Sequence, residues 1–361
     1  MKVGYYAPLP PVRSGVADYA ADLLAALRQH CEPVPNGGGD TALYQLGNNQ
    51  MHHVIFQRAL AEPGVILLHD ANLHHYHLGA LNEARYVSEF VKQYGTWFED
   101  YAAMLWRGRA HSASDPRYFE YPLLRTVISR SRAVIVHNAA AARIATNEGA
   151  AGKLHVIPHL LPRIRPAHAQ AVTRLRQSLG IAAGSTLFAV FGHLRESKRI
   201  AGVVRAFARV HALAPHVRLL IAGESVSAPY AAALEQLLDT PGILRAGHLS
   251  EGDFWTYASA ADVCINLRYP SCGETSGIGM RLMALGKPVL VTAGDEYGGF
   301  PESACIRILP GHAEEEHLAQ WMTLLHENRD WATRIGENGR SHVALYHAPD
   351  RVGRMVFDVL S

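Results

Sequence analysis

The chain has 361 residues, 48% hydrophobic and 18% charged, with a net charge of +2. That length supports two α/β domains of ordinary size, each with its own core, and the composition excludes a disordered chain. The near balance of charge gives no basic footprint for nucleic acid, and the 21 histidines add positive charge only in acid. Four cysteines, Cys31, Cys264, Cys272 and Cys305, form no Cys-x-x-Cys pair, which argues against a disulfide framework and a thiolate zinc site. No run reaches the length of a membrane span, and no long apolar segment precedes Arg13. A cytoplasmic protein is expected, with loose attachment to the inner face of the membrane left open.

Short apolar runs alternate with helical stretches, the pattern of parallel sheets wrapped by helices. In the first half, strands are expected at residues 3–7, 43–46, 65–69, 133–137 and 154–157. The first leads through a proline-rich turn to Gly15 and a helix with Val16, Tyr19, Leu23 and Leu27 on one side, which Ser14 can cap. No Gly-x-Gly-x-x-Gly follows this strand and no Gly-x-x-x-x-Gly-Lys-Ser/Thr occurs anywhere, which argues against a dinucleotide oxidoreductase and a P-loop nucleotidase. His69 and Asp70 stand at the carboxyl end of a strand, where open α/β sheets place ligands. His52, His53, His74, His75 and His77 match no familiar metal spacing, so no metal is expected. Residues 72–130 read as helical, with Val87, Phe90, Val91, Tyr94, Trp97, Phe98 and Tyr101 spaced for one core-facing stripe. Pro158, Pro162 and Pro166 mark a linker between the halves.

Strands in the second half are expected at residues 187–192, 217–223, 243–247, 263–267, 289–292 and 306–309, and an amphipathic helix closes the chain. After the fourth of these strands, residues 268–290 set a carboxylate, Glu274, and two glycines, Gly277 and Gly279, at the mouth of a helix. Ser276 or Thr275 can cap it, with Ile278, Leu282 and Leu285 inward. Free amides and the helix dipole make an anion site there without any lysine, and the glycines let an oxyanion approach the backbone. The competing reading is that both glycines only allow close helix packing and that Glu274 is a solvated loop carboxylate.

Three separated segments resemble the retaining glycosyltransferases of family four. They are Gly273-Glu-Thr-Ser-Gly277 followed by Arg281-x-x-x-x-Gly-x-Pro-Val289; Ala7-Pro-Leu-Pro-Pro-Val-Arg-Ser-Gly-Val-Ala-Asp-Tyr19; and Tyr44-Gln-Leu-Gly-Asn48 with Pro63-Gly-Val-Ile-Leu-Leu-His-Asp70. The resemblance implies an α/β fold of GT-B architecture, two Rossmann-like domains with parallel sheets facing across a cleft. An acceptor-side domain would cover 1–163 and a donor domain 164–344, with a terminal helix at about 345–361 packing back on the first. The activity implied is transfer of a sugar, with retention, from a nucleotide-diphosphate sugar to a hydroxyl of a glycan, lipid-linked or small-molecule acceptor, with no metal or other cofactor.

By the same resemblance Glu274 and His69 are the catalytic candidates, with Thr275 beside them at the sugar. Gly15, Lys198, Ser276, Gly277 and His193 would hold the donor diphosphate, and Gly247, His248 and Arg281 the base and ribose. Trp106, Arg107, Arg109, Tyr118 and Tyr121 are candidates to face the acceptor. Two departures stand out. His193 replaces a permanently charged arginine, for which Arg195 or Arg199 can substitute, and Leu282 replaces a ribose-binding glutamate and cannot accept a hydrogen bond. The rival readings are a nucleotide-sugar epimerase or phosphorylase of the same fold, and a binding protein on a degenerate transferase fold.

Overall fold

The computed structural model describes residues 1–12, 14–161 and 163–361; Arg13 of the opening turn and Pro162 of the linker lie outside the described residues. The first lobe holds β1 (Lys2–Tyr6), β2 (Glu32–Pro35), β3 (Thr41–Leu46), β4 (Val65–Leu68), β5 (Ala133–Val136) and β6 (Leu154–Val156). The second holds β7 (Leu187–Phe191), β8 (Arg218–Ala222), β9 (Ile243–Ala246), β10 (Val263–Asn266), β11 (Val289–Thr292) and β12 (Ile306–Ile308). The first sheet runs β2-β1-β3-β4-β5-β6 and the second β12-β11-β10-β7-β8-β9. Every ladder is parallel.

Parallel sheets bury both faces, which is why these strands read as unbroken apolar runs. In β4, Val65 and Leu67 join one core cluster while Ile66 and Leu68 join another on the opposite face. The exception is β2, which the sequence reading missed. Its Glu-Pro-Val-Pro pattern has the prolines of a turn, but at a sheet edge a missing N–H is tolerated and pairing with β1 prevails.

Residues 72–130 are helical, though not as one stripe. Helix Glu83–Tyr94 ends at Gly95, whose φ of +103° breaks the helical phase before helix Glu99–Gly108. Phe90 is fully buried, whereas Trp97, past the break, is 97% exposed. Tyr118 is not available to an acceptor: it is fully buried and its hydroxyl donates to Leu105 O at 2.6 Å. Trp106 lies tilted against Tyr86 and under Arg109, and Tyr121 sits among Phe90, Tyr94 and Phe98, so these aromatics form a small core of their own.

The last helix, Pro349–Leu360, lies on helix Gly15–Leu27 of the first lobe, with Val352, Val356 and Leu360 in that lobe's core. Among the described residues no helix is long and apolar enough to cross a membrane.

Ligands of open parallel sheets bind at the carboxyl ends of strands where the winding direction reverses. That point lies between β1 and β3 in the first sheet and between β7 and β10 in the second. The turns leaving these strands carry Gly15, Asn48, Lys198 and Glu274.

Candidate functional site

A cavity of about 370 Å³ lies where these turns meet, between the lobes. The first lobe lines it with Ser14, Gly15, Tyr19, Asp22, His69 and Asp70; the second with His193, Arg195, Lys198, Arg268, Arg281 and the stretch from Glu274 to Ile278.

Two helices open onto this space. Ser14 Oγ accepts the Ala17 N–H at 3.1 Å and caps helix Gly15–Leu27. Ser276 Oγ accepts the Gly279 N–H at 3.2 Å, capping helix Gly277–Ala284, and donates to Asn266 Oδ1 at 3.3 Å. Among the described residues, a Cβ added at Gly15 would meet nothing within 4 Å, and one at Gly277 only His159 Cε1 at 4.0 Å. The space in front of both amide groups is therefore open to an anion. Gly279 differs: its Cβ would fall 2.7 Å from Tyr297 Oη and 2.8 Å from Asn266 Nδ2. Anion approach fits Gly277, and close packing accounts for Gly279.

Glu274 faces the cavity with its side chain 12% exposed. Arg268 Nη1 donates to its Oε1 at 2.5 Å and Arg195 Nη2 lies 3.5 Å away. Ser271 Oγ and the Cys272 N–H donate to Oε2 at 3.1 and 2.7 Å. Burial pushes the carboxyl pKa up, but Arg268 and Arg195 outweigh this and hold it below its ordinary value. The solvated-loop reading of Glu274 therefore fails. Arg268, absent from the sequence-level site, is visible in retrospect as an arginine at the carboxyl end of an all-buried strand. Its Nε has no partner among the described residues.

Lys198 is 5% exposed and donates to Phe191 O. Burial first, then Arg268 and Arg195, push its pKa well below the usual lysine value. It fits there because Gly192, at φ +89°, has no side chain: a Cβ would stand 2.9 Å from Nζ. His193 is exposed at the cavity. Of the two substitutes for the missing arginine, Arg195 reaches the cavity, while Arg199 Nε bonds Glu314 at 2.8 Å and Arg199 is not part of the cavity lining.

His69 Nε2 lies 2.9 Å from Gln45 Oε1, which can only accept, so Nε2 carries the proton and Nδ1 remains an acceptor. Burial, with His137, His52 and His159 around it, keeps the ring well below its usual pKa and hence neutral. Beside it, Asp70 Oδ2 accepts the Asn48 N–H at 2.8 Å. Burial and then the charge of Glu274 raise the Asp70 carboxyl to about 6.

The remaining candidates are dispersed. Arg281 lines the cavity and pairs with Asp18 of the first lobe at 3.2 Å. Gly247 lines a neighbouring hollow of about 420 Å³ with Arg245 and Glu224, and His248 is exposed at the end of β9. Leu282 is fully buried in the second lobe's core. His74 bonds Tyr121 O at 2.8 Å and Tyr86 Oη at 2.7 Å, and His77 lies 3.2 Å from Leu123 O, so these rings hold the helical segment together. Among the described residues no three His, Cys, Asp or Glu side chains are grouped to hold a metal ion.

Residues 172–342 match the family model for glycosyl transferases group 1. No curated protein sequence matches the chain significantly. Among solved structures, the chain is similar to HepE of Anabaena, crystallised in complex with UDP and glucose, at 14% identity and TM-score 0.67 over 100% of this chain and 99% of that one. It is similar also to sucrose-phosphate synthase of Thermosynechococcus elongatus (15%, TM-score 0.68, over 99% and 98%). A third similar structure is WaaG, a glycosyltransferase involved in lipopolysaccharide biosynthesis (15%, TM-score 0.59, over 100% of both chains). The whole chain thus has the GT-B fold of two Rossmann-like domains, and its second lobe carries the match to glycosyl transferases group 1.

Proposed function

We propose that this protein is a retaining glycosyltransferase that moves a sugar from a nucleotide-diphosphate donor to an acceptor hydroxyl. The observation that carries this reading is the pair of open helix N-termini, at Gly15 and Gly277, on one cavity whose wall also holds Lys198, Arg195 and Arg268. In glycosyl transfer, negative charge accumulates on the departing diphosphate, and donors fixed in advance around that charge lower the barrier most. Amide groups and basic side chains supply that stabilisation without a metal ion. Glu274, kept ionised by its two arginines, steadies positive charge at the sugar ring and hydrogen-bonds its hydroxyls, with Thr275 beside it. The acceptor enters from the first lobe, where His69 Nδ1 and Asp70 are its nearest hydrogen-bonding groups. Closure of the lobes about the linker excludes water, which competes for the donor.

The first experiment is thermal stabilisation and donor hydrolysis across UDP-, GDP-, ADP- and TDP-sugars. With the best donor, Glu274→Gln is expected to lower kcat by about 10²- to 10³-fold, and full turnover of that variant refutes the assigned role. Lys198→Ala is expected to weaken donor and free nucleoside diphosphate alike by about 10-fold or more, the worth of one charge-assisted hydrogen bond. Unchanged affinity for both removes Lys198 from the site.

A further inference from the structure

The loop that carries Glu274 belongs to the second lobe but is held by the first. Asn138 follows β5, and its Nδ2 donates to Gly273 O and to Thr275 Oγ1, each at 2.9 Å, one on either side of Glu274. The Ala71 N–H, just past β4, donates to Cys272 O at 2.7 Å. Gly273 sits at φ +74°, and a Cβ there would lie 3.1 Å from Ala71 Cβ, 3.2 Å from Ala141 Cα and 3.3 Å from Ile144 Cδ1. Residues 272, 273 and 275 therefore all rest on the first lobe, while the Glu274 side chain alone turns back to Arg268 and Arg195. Asn138 is itself buried and fixed, because its Oδ1 accepts the Ala141 N–H at 2.8 Å and caps helix Ala139–Ala145.

We infer that Asn138 is a positioning residue for Glu274, so that the carboxylate takes its working orientation only when the lobes meet. The inference rests on the reading of Glu274 as the sugar-side carboxylate. Separating the lobes breaks the Asn138 and Ala71 contacts but leaves the bonds from Arg268, Ser271 and the Cys272 N–H, which lie within the second lobe. The loop is then held at its base and free at its tip. Misplacement of such a group costs rate rather than nucleoside diphosphate affinity, because the diphosphate contacts begin at Gly277, whose helix is fixed within the second lobe by Ser276 bonding Gly279 and Asn266. Coupling the loop to the first lobe makes the site complete only when the acceptor-bearing lobe is in place, which limits donor hydrolysis in the open state.

Asn138→Ser tests this, since serine keeps the helix cap but is too short to reach Gly273 and Thr275. With the best donor, kcat is expected to fall about 10-fold or more for the two lost hydrogen bonds. The dissociation constant for the best of UDP, GDP, ADP and TDP should stay within about threefold. Amide hydrogen exchange at residues 272–275 should accelerate at least about tenfold while β7 and β10 keep their protection. A parallel loss of affinity, kcat and melting temperature indicates a merely structural role and overturns the inference, as does unchanged exchange with unchanged kcat. Thr275→Val, which removes one acceptor and leaves Asn138 intact, should give a smaller loss of the same kind. If the unmodified chain turns over no nucleotide sugar, the transferase reading fails first. The exchange measurement still decides whether Asn138 holds the loop.

Discussion

At the residue scale, Asp70 and Glu274 are two carboxylates on one cavity whose surroundings drive them apart, Glu274 down through its arginines and Asp70 up to about 6. Such splitting is what the proposed function asks of two carboxylates with different tasks on one cavity. Because the folded chain binds a proton at Asp70 more tightly than the unfolded chain does, the stability this group contributes is present below the ordinary aspartate range and lost as pH rises through about 6. Asp70→Asn, which keeps an oxygen for the Asn48 N–H, is therefore expected to be more stable than the parent at pH 8, by roughly 1–3 kcal/mol, and indistinguishable from it near pH 4. Chemical denaturation at the two pH values measures this. A variant less stable at pH 8 would show that the carboxylate is net favourable where it stands. Paired with a loss of transfer activity, the gain in stability would be the trade expected of a functional residue.

At the scale of elements, the strand-to-helix turn after β10 shows how one motif serves two demands. Gly277 faces open space and Gly279 faces Tyr297 and Asn266. Gly277→Ala should fold with little change in melting temperature yet weaken nucleoside diphosphate binding, because a methyl group intrudes between the amides and the anion. Gly279→Ala should instead destabilise the second lobe by about 1–3 kcal/mol through overpacking. Calorimetric unfolding and a binding titration on both variants separate the two effects, and identical behaviour would contradict the division. The sequence placed both glycines at a helix mouth but did not show which one looked outward, since that depends on where β11 and the turn after it bring Tyr297.

At the scale of the molecule, the lobes are joined by more than the linker. Arg281 meets Asp18, Arg143 meets Asp295, and Leu161 N–H donates to His347 O at 2.8 Å where the chain crosses back. The final helix then buries Val352, Val356 and Leu360 against the first sheet, with Gly353 allowing close approach to Ala26. Each such side chain stabilises by roughly 1.5–3 kcal/mol when buried, so three together are comparable to the whole stability of a typical domain. Truncation after Ala348 is expected to unfold or aggregate the first lobe at ambient temperature, read by circular dichroism and size-exclusion chromatography. A soluble truncated chain with an unchanged melting curve would show that the first lobe's core is sufficient without it.

The sequence by itself determined the two rounds of α/β structure, eleven strands within two residues at their ends, the cap at Ser14, and a second cap narrowed to Ser276 or Thr275, of which the structure uses Ser276. These depend on local runs of apolar residues and on short-range backbone chemistry. It also placed Gly15, His69, Lys198 and Glu274 at strand ends, and the fold brings all of them to one cavity. Tertiary structure alone decided which residues fill the space between them. Arg268 and Arg195 converge on Glu274 from loops after different strands, Asp70 is raised by burial and then by a carboxylate more than 200 positions away in the chain, and Asn138 reaches across the lobes. Charge coupling and contact across a gap depend on distance in space, which no spacing along one chain records.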